Sequence, residues 1–154
     1  MKIIVHTDGG ARGNPGPAAV GVVIEIIENS EFRIQNDGTK QKTKLITEFG
    51  KRIGEATNNV AEYTAVLEGL RTINNQLLTI NKEGEKIEIQ FFIDSTLAVN
   101  QLNGLFKVKD AKLRELLVQI RLLEQEIGGV VIYAYVPREQ NRRADWLVNK
   151  ALDG

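Results

Sequence analysis

The chain has 154 residues, 42% of them hydrophobic and 26% charged, and its 20 basic and 20 acidic side chains cancel. Such a size and composition predict one globular domain over residues 1–154, with a core of its own. The lack of cysteine excludes disulfides and thiolate metal sites, and a single histidine, His6, excludes a multi-histidine zinc site. Any metal must then rest on oxygen ligands, which points to Mg2+ or Mn2+. With zero net charge no global field draws the chain to nucleic acid, so such binding needs a local basic patch. No stretch approaches the length of a membrane span, and the apolar run after Met1 is too short for a signal peptide. A cytoplasmic protein with no membrane partner is expected.

Ile3 to Val5 reads as a buried strand that ends near Asp8. The stretch Gly9-Gly10-Ala11-Arg12-Gly13-Asn14-Pro15-Gly16-Pro17 follows, a tight and shaped loop by its glycine and proline content. An acid beside bare backbone suits a metal ion and a phosphate, although the stretch alone also reads as a surface hairpin. Ala18 to Ile27 is a second strand. Asn29 to Lys44 is polar, carries the turn signal Asn36-Asp37-Gly38, and reads as a hairpin connection. Leu45 to Ile53 is a third strand with ragged alternation, completing an antiparallel meander.

A helix starts near Thr57-Asn58-Asn59, where Thr and Asn suit an N-cap. Tyr63, Val66, Leu67, Leu70, Ile73 and Leu77 recur at helical spacing, and Glu62 sits at the edge of that face. Lys86 to Ile93 is a fourth strand ending on Asp94. A short helix, Ser95 to Leu102, is stopped by Asn103-Gly104. The next helix runs from about Asp110 to Ile127 and ends at Gly128-Gly129. Val130 to Val136 is a fifth strand, and a last helix from about Gln140 to Leu152 carries Asp145. The order β-β-β-α-β-α-α-β-α predicts an α/β fold, a mixed five-stranded sheet with helices on both faces.

Four acids stand out: Asp8, Glu62, Asp94 and Asp145. If the first and fourth strands are parallel neighbours, Asp8 and Asp94 emerge together at the carboxyl ends of the sheet, where open α/β sheets hold ligands. Two unit charges 4 Å apart repel by about 4 kcal/mol at an effective dielectric near 20. Gathered acids therefore need cations between them, or some must stay protonated. Two divalent ions would resolve the conflict and form a clamp for in-line displacement at phosphorus.

In order along nearly the whole chain, Thr7-Asp8-Gly9-Gly10, Gly13-Asn14-Pro15-Gly16, Thr57-Asn58-Asn59-Val60-Ala61-Glu62, Asp94-Ser95 and Asn141-Arg142-Arg143-Ala144-Asp145 match signature segments. By these the chain resembles a type 1 ribonuclease H of the compact form, with the ribonuclease H-like fold. The resemblance implies an endonuclease that cleaves the RNA strand of RNA–DNA hybrids and leaves 5′-phosphate and 3′-hydroxyl ends. It implies that Asp8 bridges two Mg2+ ions (Mn2+ substituting), that Asp145 helps hold the ion activating the attacking water, and that Glu62 and Asp94 help hold the ion facing the leaving oxygen.

It also implies substrate contacts. Gly10, Ala11, Arg12, Gly13 and Asn14 would lie in the minor groove, where the RNA strand presents 2′-hydroxyls, and Glu62 would also reach one. Asn14, Thr57, Asn58, Asn59 and Ser95 fall at family positions for nucleic-acid contact, with helix capping an alternative for Thr57 and Asn58. Residues 103–109 look like the region that contacts the DNA strand, with Phe106 packing on a deoxyribose and Lys107 and Lys109 adding charge. Lys112 and Arg114 lie nearby, and Arg138, Arg142, Arg143 and Lys150 flank Asp145.

The chain departs from the family in three places. The loop before the last aspartate has Tyr135 and Arg138 where many members carry a histidine, the basic protruding helix of longer members is missing, and Thr96 replaces a glutamine. A binding module with a dead site, or a nuclease that also accepts double-stranded RNA, are the alternatives; a monomer is the default.

Overall fold

The computed structural model describes residues 1–27 and 42–154, so the expected turn at Asn36-Asp37-Gly38 lies outside the described residues. The described chain forms β1 (Lys2–Ala11), β2 (Gly16–Ile27), β3 (Thr43–Ala56), α1 (Asn58–Ile80), β4 (Glu88–Ile93), α2 (Thr96–Leu102), α3 (Ala111–Ile127), β5 (Val130–Tyr135) and α4 (Arg142–Asp153), with a 3-10 turn over Arg138–Gln140 before α4. The strands lie in the order β3-β2-β1-β4-β5. β1 pairs antiparallel with β2 and β2 with β3, while β4 runs parallel to both β1 and β5. The expected meander and mixed sheet are both present.

The helices begin and end where local chemistry directs. Thr57, Ser95 and Asp110 each accept a backbone N–H from three residues on, at 3.1, 3.1 and 3.0 Å, capping α1, α2 and α3. Gly128, with φ +82°, closes α3 as its N–H donates to the Glu124 carbonyl.

Ile3, Val5, Ile89, Phe91 and Ile93 are sealed from solvent under Tyr63, Val66 and Leu70 of α1, with Leu113, Leu116 and Ile120 of α3 extending the same core. α4 takes the opposite face. Successive residues of a strand point to opposite sides. A Cβ on Gly9 would overlap the Ala61 backbone of α1, whereas Gly10 faces Val148 of α4. Gly21 of β2 and Gly50 of β3 are paired neighbours, and side chains there would overlap the Ala144 and Leu147 carbonyls. These two bare positions let α4 lie directly on the sheet.

Two details differ from the sequence expectation. β1 does not end at Asp8 but continues to Ala11, because β2 goes on pairing with it after the parallel pairing with β4 stops at Thr7. The tight turn is accordingly shorter and is closed by Arg12 N–H donating to the Pro17 carbonyl at 2.8 Å. In β3 the register slips twice, leaving Ile46 and Ile53 without partners, and these bulges are the source of the ragged alternation.

Candidate active site

Asp8 lies one residue beyond the point where β1 parts from β4, and Asp94 follows the last residue of β4. Both therefore open into the same gap at the carboxyl ends of the parallel pair. The backbone contact at Gly9 presses the first turns of α1 against β1, and this delivers Glu62 to the gap. α4 brings Asp145 from the other face, within hydrogen-bonding reach of the Asp8 carboxyl. Carboxylate oxygens of Asp8, Glu62 and Asp94 all lie within 4.8 Å of one another. The structure thus brings together three of the four acids singled out from the sequence, with Asp145 adjoining Asp8.

The electrostatics are severe. Asp8 and Glu62 are buried. Burial, then the charge of Asp94 and the carboxyl of Asp145, push Asp8 up to about 8. Burial, then the charges of Asp8 and Asp94, hold Glu62 well above the usual carboxylate range, while the Gly9 N–H and Arg138 act in the other direction. Arg138 approaches Asp94 at 3.9 Å from an exposed position. Glu62 Oε1 and both oxygens of Asp94 are buried without any hydrogen-bond partner. Orphaned acceptors in an all-oxygen, multiply anionic cluster fit a hard divalent cation, whose charge offsets the repulsion and whose coordination fills the vacant lone pairs.

Around the cluster, two asparagines join the β1–β2 turn to α1. Asn58 accepts the Ala11 N–H through its side chain at 2.9 Å, and Asn14 accepts the Asn58 N–H at 2.9 Å. Gly10, Ala11, Gly13, Asn14, Thr57, Asn58 and Asn59 are thereby collected at one end of the molecule, with Asn58 and Asn59 exposed. Thr57 does cap α1, whereas Asn58 is the first residue of the helix and turns its side chain to Ala11. Arg12 is different: its guanidinium pairs with Asp153 and reaches Asn149, which ties the turn to the end of α4. Ser95 caps α2 beside Asp94. Phe106, Lys107, Lys109 and Arg142 are exposed. Lys112 lies 3.8 Å from Glu115, and Arg114 donates to the Val108 carbonyl. Arg143 is held by Glu48 and stacks with Lys150 about Trp146, at 4.4 and 4.8 Å from the ring centroid. Tyr135 ends β5 and is exposed, and Arg138 comes within 3.9 Å of Asp94.

Asn141 was not among the functional residues read from the sequence. It is almost fully buried, and its side-chain amide donates to the Thr7 carbonyl at 2.9 Å. Its signal in the sequence is its place at the head of the segment Asn141-Arg142-Arg143-Ala144-Asp145.

A mixed sheet with acids gathered at the carboxyl ends of its parallel strands defines an α/β domain with a buried, all-oxygen acidic site. A family model described as Reverse transcriptase-like matches residues 6–151. Ribonuclease HI of Halobacterium salinarum is 36% identical over 99% of this chain, and a bifunctional protein of Mycobacterium tuberculosis is likewise 36% identical over 99%. The chain spans 65% of the length of the first of these relatives and 36% of the second. The structure of LC11-RNase H1 in complex with an RNA/DNA hybrid superposes with a TM-score of 0.75 at 38% identity, covering 98% of this chain and 96% of that one. The chain belongs to the type 1 ribonuclease H family.

Proposed function

We propose that this chain is a divalent-metal-dependent endonuclease that hydrolyses the RNA strand of RNA–DNA hybrids, leaving 5′-phosphate and 3′-hydroxyl ends. The observation that carries this reading is the convergence of Asp8, Glu62, Asp94 and Asp145 with three carboxylate oxygens left unbonded. These four would hold two Mg2+ ions, with Mn2+ able to substitute. When bound, such ions make a water more acidic and offset charge on the leaving oxygen.

The chain's own residues do the rest. The Gly9 N–H and Arg138 both lower the cost of ionising Glu62, and Arg138 does the same for Asp8. The glycine-rich end of β1, with Asn14 and Asn58 bracing it, offers backbone groups to a minor groove that carries 2′-hydroxyls. Arg12 contributes its backbone there, since its side chain is engaged with α4. Phe106, Lys107 and Lys109 stand exposed for the DNA strand, and Arg142 for phosphate. The hybrid bound by the LC11 enzyme supports the choice of substrate. No helix among the described residues is long and apolar enough to cross a membrane. The reading extends to residues 1–154 acting as one domain, monomeric and in the cytoplasm.

The test is a gel assay with RNA–DNA hybrid, double-stranded RNA and single-stranded RNA, each with Mg2+ and with EDTA. Hybrid cleavage that stops in EDTA and in Asp8→Asn is expected. Cleavage without metal, full activity in Asp8→Asn, or no cleavage of hybrid overturns the reading. The double-stranded RNA arm decides the breadth of specificity.

A further inference from the structure

Residues 103–110, between α2 and α3, carry the most exposed apolar side chains near the site, Leu105 at 72% and Phe106 at 51%. An exposed phenylalanine is useful as a contact only if its backbone is held, because ordering a free loop costs about 1–2 kcal/mol per residue. The loop is held at several points. Leu105 and Phe106 N–H both donate to the Asn100 carbonyl, at 2.8 and 3.2 Å. Asn103 donates from its side chain to the Tyr133 carbonyl at 3.0 Å, and Arg114 donates to the Val108 carbonyl at 2.9 Å. Between them, Gln101 Nε2 faces the Lys107 carbonyl at 3.5 Å.

Gln101 is itself buried, and its amide orientation is set from elsewhere. The Tyr63 hydroxyl donates to Gln101 Oε1 at 2.6 Å. Turned the other way, the amide would set Oε1 against the Lys107 carbonyl, acceptor against acceptor. Tyr63 is fully buried on α1 and follows Glu62 directly. Burial pushes its hydroxyl up to about 12, so it stays a donor across the working range of pH. A buried polar pair of this kind adds little net stability over an apolar pair of the same shape. What it does add is direction: one hydrogen-bonded line from the residue after Glu62, through α2, to the backbone beside Phe106.

We infer that Gln101, oriented by Tyr63, is a positioning residue that presents Phe106 and Lys107 to the DNA strand of the bound hybrid. This rests on the proposed function and on Phe106 as the DNA-strand contact. Gln101 touches neither the acids nor the substrate and acts only through the loop.

The experiment compares Gln101→Leu, Tyr63→Phe and the double variant, each with native Phe106 and with Phe106→Ala, in steady-state hybrid cleavage and thermal melting. With Phe106 present, KM is expected to rise about fivefold while kcat stays within about twofold, the pattern of lost binding and not lost chemistry. With Phe106→Ala, which raises KM by itself, the Gln101 and Tyr63 changes should add nothing further, since the loop no longer has a contact to misplace. The double variant should melt within a few degrees of wild type, and it keeps the test decisive if Gln101→Leu alone does not fold. An unchanged KM, a fall in kcat alone, or an equal effect with and without Phe106 overturns the inference. Failure of the wild-type protein to cleave hybrid would instead remove the proposed function on which it stands.

Discussion

The side-chain amide of Asn141 donates to the backbone carbonyl of Thr7 at 2.9 Å, and so pins the start of α4 to the residue before Asp8. Asp145 lies one helical turn further along, its N–H donating to the Asn141 carbonyl at 3.1 Å. Asp8 and Asp145 come from opposite ends of the chain, and this bond sets their separation. Asn141→Ala should cost about 1–3 kcal/mol of stability, because a buried carbonyl loses its donor. It should also lower kcat more than KM, since Asp145 is displaced and the substrate surfaces are not. Melting and steady-state kinetics on hybrid check both.

Gly21 sits where the backbone of α4 touches the sheet. Gly21→Ala forces the helix away from β2, and overpacking of this kind costs about 1–3 kcal/mol. Because Ala144 precedes Asp145, activity should fall with stability. Urea unfolding alongside a cleavage assay measures the two together.

The raised Asp8 and Glu62 make stability depend on pH and metal. An acid with a folded-state pKa above its unfolded value binds more protons when folded, so the metal-free protein loses stability as pH rises between them. For Asp8 the window runs from about 4 to about 8, with the full penalty above it. Melting in EDTA should therefore show a fall in Tm from pH 5 to pH 8, and Mg2+ should restore more Tm at pH 8 than at pH 6. Asp8→Asn removes one repelling charge. It should melt higher than wild type in EDTA at pH 8, respond less to Mg2+, and be inactive.

Arg138 counters the negative charge of the cluster and lowers both Asp8 and Glu62. Arg138→Ala should therefore move the acidic limb of the pH–rate profile towards higher pH, with the greatest loss of rate below neutrality. Arg138→Lys, which keeps the charge, should recover part of the shift. A profile of unchanged shape would show that the arginine acts on the substrate alone.

Much of the molecule was legible because its signals are local. Apolar runs marked the strands and helical spacing marked α1, and Thr57, Ser95 and Gly128 act at helix ends within one turn of where they stand. The four acids could be picked out because Asp8 follows an apolar run, Asp94 follows a strand, and Glu62 and Asp145 lie near helix starts. The ragged third strand was visible, but not its cause, since a bulge is defined by the partner strand.

Sequence alone thus determined the order of elements and the identity of the four acids, since propensity, capping and side-chain chemistry act over a few residues. Tertiary structure alone decided the extension of β1 past Asp8, the pairing of Arg12 with Asp153, the anchoring of Asn141 on Thr7 and the raised pKa of Asp8 and Glu62. Each of these depends on distance and burial between groups far apart in the chain, and folding sets those quantities.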